Sequence, residues 1–343
     1  MAMNQIEEER VHLASMMWES HKPLVLYALV RLGIPDLLGD GPASAEQLAE
    51  RSGTHAASLN RLLRAAITTG TVRVDGVRFG LTTRGELLRA DVPGSMRNPL
   101  LWYGSGEKML SWGKLDESVR TGQDAFRHVF GCGLFEHLSE HPDKEEIFNE
   151  TMAANSGSIA HVLSGIPEIA GSARLADVGG GSGGILAGVL AAHPHMQGVL
   201  FDTESGLSGA EATVAAAGVR ERCDIVPGDF FESVPGGCDA YLLKHVIHNW
   251  SDDDAVTILR HCRETMPQDA ALYLVETVVP DDPAEFDAVT MIRDLNMLVL
   301  VTGRERTRTD FEQLLTAAGL ELTGVSPLAR PAHRSSLISA SAA

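Results

Sequence analysis

One stretch constrains this chain more than any other: Asp177-Val178-Gly179-Gly180-Gly181-Ser182-Gly183-Gly184. It follows an apolar, strand-like segment at 175–178 and leads into a helical one at 185–192. Glycines at such a place let a ligand approach the main chain. A strand, a glycine loop and a helix in succession commit the surrounding chain to a βαβ unit, and so to a mostly parallel sheet with helices on its faces. The texture beyond residue 172 agrees. Strands are expected at 175–178, 198–202, 223–226, 239–244 and 271–276, with helical stretches between them. Two late strands, at 321–328 and from His333 to 340, leave no room for a helix and should form an antiparallel hairpin at the sheet edge.

Glycines alone do not name the ligand. Gly179, Gly181 and Gly184 satisfy GxGxxG, the spacing of a dinucleotide-binding turn. Asp177 argues otherwise, because a carboxylate at the mouth of the loop would repel a pyrophosphate. S-adenosylmethionine carries an ammonium and a sulfonium and no phosphate, so the same carboxylate would favour it. The Asp-x-Gly-x-Gly form therefore points to the methyl donor, with Asp177, Gly179 and Gly181 as contacts. Asp202 closes the second strand, where an acid can accept from both ribose hydroxyls; a solvated loop acid would look the same in isolation. After the third strand, Gly228-Asp229-Phe230-Phe231 offers Asp229 for the adenine amino group and Phe230 to stack on the ring.

The first hundred residues read differently. Apolar residues at helical spacing run from Pro23 to Leu38, Ser44-Ala45-Glu46-Gln47 fits a capping box, and an amphipathic helix is expected at 57–69. Val72 to Phe79 alternates around Asp75-Gly76, a hairpin signal. Helix, helix, hairpin outlines a winged helix. Arg61 and Arg64 are a poor phosphate reader on a chain of net charge −18, so no nucleic acid is expected. Packing on a sister subunit fits better, with an apolar stripe in residues 10–35 that includes Val25, Leu26, Leu29 and Leu32. The organisation expected is a dimerisation domain at 1–100, a helical linker and substrate lid at 101–165, and a donor-binding domain at 166–343.

After the fourth strand comes Lys244-His245-Val246-Ile247-His248-Asn249-Trp250-Ser251-Asp252. Lys244, His248, Trp250, Ser251 and Asp252 resemble the Lys-x-x-x-His-Asp-Trp-Ser-Asp pattern of the S-adenosylmethionine-dependent O-methyltransferases of small molecules. These are the caffeic acid and acetylserotonin enzymes with their bacterial anthracycline and mitomycin relatives. The resemblance extends over nearly the whole chain. It implies an α/β fold, a Rossmann-like methyltransferase sheet with an antiparallel edge hairpin behind a mainly helical winged-helix dimerisation domain. A homodimer and a small aromatic hydroxylated substrate are implied with it.

The resemblance makes His248 the general base. A phenol near pKa ~10 is mostly neutral at pH 7, and an imidazole titrates close enough to that pH to take its proton. It also makes Glu276 and Glu305 the carboxylates that orient the ring; the alternative for Glu305 is an ion pair with Arg304 or Arg306. Lys244 and Ser156 join the donor contacts, while Phe148, Met152 and Asn296 correspond to substrate-pocket residues. Plain helix packing would explain Phe148 and Met152 equally well. Asn249 stands where the family has aspartate, which turns any substrate hydrogen bond there from charged to neutral. His245 has no counterpart and reads as structural or pocket-lining.

Composition narrows the remaining choices. Cys132, Cys223, Cys238 and Cys262 are scattered, without disulfide or zinc spacing. Residues 1–10 are acidic, and no apolar run approaches membrane length, so a cytoplasmic protein without a membrane partner is expected. No metal is expected, since neither HExxH nor an acid cluster is present. Three readings stay beside O-methyl transfer: a donor-binding relative that decarboxylates, hydroxylates or guides a pericyclic step, methyl transfer to nitrogen or carbon, and a winged-helix regulator.

Overall fold

Seven strands build the sheet that the glycine loop requires: β1 (Arg174–Val178), β2 (Gln197–Asp202), β3 (Cys223–Pro227), β4 (Ala240–Lys244), β5 (Ala271–Glu276), β6 (Leu320–Pro327) and β7 (Ser336–Ala342). The computed structural model describes residues 2–154, 156–328 and 335–343, with side chains from residue 5 onward. Contacts gather the chain into two units, Met1–Met109 and Leu110–Ala343. The segment 101–165 is divided between them.

In the second unit the strand order is β6-β7-β5-β4-β1-β2-β3. Pairs β1–β2, β2–β3, β1–β4 and β4–β5 are parallel, whereas β7 runs antiparallel to both β5 and β6. The late hairpin is therefore at the edge, with β6 outermost; His333 lies outside the described residues. Between β1 and β4 the chain changes direction of build, and the carboxyl ends of those strands open a crevice. Apolar side chains fill both faces of the sheet. One face is packed by Tyr241, Leu243 and Leu274 with Ile258, Leu259 and Phe311; the other by Leu175, Leu200 and Leu242 with Leu186, Leu190 and Ile159.

The first unit begins with helices Ala2–Glu19, Lys22–Arg31 and Ile34–Gly39. The single helix expected from Pro23 to Leu38 is broken at Gly33. That residue takes φ 66°, and Pro35, which has no N–H to donate, sits in the first turn of the next helix. The capping box holds: Gln47 N–H donates to Ser44 Oγ at 3.3 Å and Ser44 N–H to Gln47 Oε1 at 3.0 Å. Helices Ala45–Ser52 and Ala56–Ile67 precede a hairpin of Val72–Asp75 with Arg78–Leu81, turned at Gly76 with φ 59°. Leu29 corrects the expected stripe. It is 1% exposed and packs with Leu48, Leu59 and Leu63 in this unit's own core. Leu32 of that stripe is 40% exposed, and further uncovered apolar residues lie one helix earlier, on Ile6, Val11, Leu13, Met16, Met17 and Trp18, the last 76% exposed.

Candidate active site

The crevice at the carboxyl ends of β1, β2 and β4 has one end built largely from backbone. Gly179, Gly181 and Gly183 hold φ of 72°, 57° and 77°, angles that L side chains rarely adopt. A Cβ on Gly179 would stand 2.8 Å from Val246 Cγ2, and Phe230 lies just beyond, so the loop is a fitted cradle. Asp177, at the end of β1, is 1% exposed, and its Oδ2 has no hydrogen-bond partner. Burial, with Asp202 nearby, pushes its carboxyl up to about 7 against the pull of Lys244. Asp202 ends β2 and accepts from Gly181 N–H at 2.8 Å and Thr203 N–H at 2.7 Å, bracing the loop. Burial raises its carboxyl as well.

The remaining expected donor residues gather around this loop to different degrees. Ser156 reaches it: its Cβ is 3.0 Å from where a Cβ of Gly184 would sit. Asp229 is exposed and accepts from Phe231 N–H at 2.8 Å, while Phe230 lies beside Gly179. Lys244 ends β4, between the Asp177 and Glu276 strands. Burial draws its amine down to about 8, although both acids work the other way.

The opposite end is built from side chains on separate segments. His248 sits in the 3₁₀ turn Ile247–Asn249 that follows β4 and is 9% exposed. Its Nδ1 lies 3.3 Å from Glu305 Oε1 and 3.6 Å from Glu276 Oε2. Burial disfavours the imidazolium, yet the two glutamates outweigh it and raise the histidine above its ordinary value; Arg293 pulls the other way. Glu276, at the end of β5, has a second task. Its Oε1 accepts from Ile247 N–H at 2.9 Å and His248 N–H at 3.4 Å, so it holds the turn as well as facing the ring. Burial raises its carboxyl, with His248 opposing.

Neither arginine pairs with Glu305, the alternative raised by the sequence. Arg304 bonds Asp252 and Asp310, and Arg306 bonds Asp252 and two backbone carbonyls. Glu305 is held instead through its own N–H, donated to Asp294 Oδ1 at 2.9 Å. One imidazole and two carboxylates whose donor atoms lie within 4.8 Å of one another would also suit a divalent cation. The chemical alternatives are thus an acid–base group or a metal ligand set.

Beside the His248 turn, rings form a chain from Phe148 to Phe135 (6.1 Å), Phe135 to Trp250 (5.7 Å) and Trp250 to Phe231 (4.7 Å). Phe135 was not singled out by the sequence. Met152, one turn after Phe148 on helix Pro142–Ala153, is 42% exposed. Asn249 lines a cavity of about 200 Å³ with Trp250 and Phe135, but its Nδ2 donates to the His245 carbonyl at 3.1 Å. Asn296 accepts from the Trp112 indole at 3.2 Å. His245, set aside in the sequence, is brought into the site. It is the one described non-glycine residue at positive φ (53°), its ring stacks on His248 at 5.1 Å, and Nε2 bonds Ser335 Oγ. No helix among the described residues is long and apolar enough to cross a membrane.

Comparison with known proteins adds the family context. An O-methyltransferase domain matches residues 112–321 and an O-methyltransferase dimerisation domain residues 14–91. The phenazine O-methyltransferase of Lysobacter antibioticus is 37% identical over 89% of this chain and 89% of its own. The O-demethylpuromycin O-methyltransferase of Streptomyces alboniger is 38% identical over 93% and 85%. The solved structure of mitomycin 7-O-methyltransferase superposes with a TM-score of 0.91 at 32% identity, covering 100% of this chain and 99% of that one.

Proposed function

The chain belongs to the S-adenosylmethionine-dependent O-methyltransferases of small natural products, and from that premise we propose that it methylates a hydroxyl of a small aromatic acceptor with His248 as general base. The observation that carries the proposal is the buried imidazole of His248 with Nδ1 turned to Glu305 and Glu276. A proton held on Nδ1 by those carboxylates leaves Nε2, across the ring, as the nitrogen that accepts a proton from the substrate.

S-adenosylmethionine is the cofactor, and the residues present suit it. Asp177 offers an orphaned, buried carboxylate oxygen for an ammonium, and the glycine loop lets a ligand approach the backbone. Gly179, Gly181, Asp202, Asp229, Phe230, Lys244 and Ser156 complete the residues we assign to holding it. When bound, it supplies a methyl group on a sulfonium and is left as S-adenosylhomocysteine once the methyl has passed to oxygen. His248 removes the hydroxyl proton as the oxygen forms its new bond, a contribution of roughly 10²- to 10⁴-fold. Glu276 and Glu305 favour the imidazolium so produced. Phe148 and Met152, with Asn249 and Asn296, are assigned to acceptor positioning; the aromatic chain through Phe135 and Trp250 supports a flat ring there. We read the His248 cluster as acid–base machinery rather than a metal site.

Incubation with methyl-labelled donor and a panel of phenols, hydroxyquinones and hydroxyphenazines tests this. The expected product is a labelled methyl ether, formed at the same rate with a chelator present. Label on nitrogen or carbon, a decarboxylated or hydroxylated product, or loss of activity on chelation would contradict it. The chain also carries the family's dimerisation domain. We assign the uncovered face of helix Ala2–Glu19, around Val11, Met17 and Trp18, to contact with a second copy.

A further inference from the structure

Arg306 is buried without exposed side-chain surface, at a depth where a charge is costly unless every donor is used. Its guanidinium donates to the carbonyls that flank His248 and to the carboxylate of Asp252. Nη1 donates to the Ile247 carbonyl at 2.9 Å, and Nη2 to the Trp250 carbonyl at 2.8 Å. Nε and Nη2 both donate to Asp252 Oδ1, at 3.0 and 2.8 Å, which neutralises the charge and fixes the plane of the fork. Within the turn the Ile247 carbonyl takes only the Trp250 N–H, at 3.3 Å. Arg306 adds a second donor to it and one to the Trp250 carbonyl, immediately before and two residues after the histidine.

Two further contacts show the turn gripped from more than one direction. Gly303 lies so close that a Cβ there would fall 2.0 Å from the His248 carbonyl oxygen and 2.5 Å from Asn249 C. No side chain fits, so the 303–306 segment is seated against the turn by its backbone. From the end of β5, Glu276 takes the N–H groups of Ile247 and His248. A carboxylate thus holds the donors of the turn while a guanidinium holds its acceptors. Arg306 is itself anchored where Arg306–Thr307 pairs with Val278–Val279, just beyond Glu276.

We propose that Arg306 is a positioning residue for the methyl-transfer reaction: it holds the carbonyls flanking His248 and through them sets where the imidazole stands. This rests on His248 being the base. Lysine cannot replace it, because a single ammonium does not span two carbonyls and a carboxylate in one plane. A base displaced by about 1 Å loses on the order of 10²-fold in rate, while donor binding at the glycine loop is untouched.

The test places Arg306→Lys in the wild-type protein and in the His248→Ala background, reading kcat, both KM values and the melting temperature in each. In the wild type, kcat should fall about 10- to 100-fold with donor KM within about twofold. In the His248→Ala background the same substitution should leave kcat unchanged, while lowering the melting temperature as much as before. A merely structural arginine would lower kcat equally in both backgrounds, and that result overturns the proposal. So does wild-type turnover by Arg306→Lys. Should that variant not fold, Asp252→Asn loosens the same fork with Arg306 in place, and the same pattern of loss and non-additivity is required of it. Wild-type turnover by His248→Ala alone would remove the base reading, and this proposal with it; that arm separates the two failures.

Discussion

The two ends of the crevice are made of different material. The donor end is backbone: three glycines at positive φ between adjacent elements, with Asp202 bracing the loop through Gly181 N–H. The acceptor end is side chains from 248, 276 and 305, the first on a turn whose polar groups are held by Glu276 and Arg306. A loop shaped by glycine angles tolerates ligands of one shape and is broken by any added Cβ. A constellation of side chains can be retuned one residue at a time. The donor end should therefore set affinity, and the acceptor end rate and substrate.

The sharpest way to break that division is at His248. His248→Ala should cut turnover at pH 7 by about 10²- to 10⁴-fold while S-adenosylhomocysteine still binds with near-wild-type affinity by calorimetry. Loss of binding would place the residue at the wrong end. Asp202→Ala should do the reverse, weakening S-adenosylhomocysteine about 10- to 100-fold through the lost ribose hydrogen bonds and the unbraced loop. Unaltered affinity would refute its assignment.

A smaller effect, on the order of tenfold, should come from Asp177. Its carboxyl stands at about 7 because it is buried and near Asp202, so at pH 6 it is mostly protonated and cannot pair with an ammonium. S-adenosylhomocysteine should therefore bind more tightly as pH rises from 6 to 8, in the wild type and not in Asp177→Asn. Equal pH profiles in the two would contradict this. The smallest effects sharpen the picture of the base. Glu305 raises the proton affinity of His248 and Arg293 lowers it. Glu305→Gln should move the acid limb of the rate profile to lower pH and Arg293→Gln to higher pH. Shifts in the same direction would mean that the limb belongs to another group.

The same contrast explains how much of the molecule the sequence disclosed. The donor end was legible because its parts are consecutive: a strand, five glycines among six residues and a helix, with Asp202 closing the next strand. The seven-stranded sheet and its edge hairpin followed from the same alternation. At the acceptor end, His248, Glu276 and Glu305 were reached through a resemblance, since no spacing rule brings residues 248, 276 and 305 together. Arg306 was raised only as an ion-pair partner for Glu305, because two of its acceptors are backbone carbonyls that carry no sequence signal. Phe135 was not singled out for a similar reason: only the fold stacks it on Trp250. Leu29 was misplaced in the dimer stripe because periodicity gives the apolar face of a helix and not its partner.

The central claim is that His248 takes the acceptor's proton, and the pH dependence of turnover in His248→Ala, read beside wild type, tests it most directly. The profile should run from pH 7 up toward the pKa of the acceptor's hydroxyl. A large deficit at pH 7 should shrink as the hydroxyl ionises on its own and no longer needs a base. Near-wild-type turnover at pH 7, or a deficit that stays constant across that range, would contradict it.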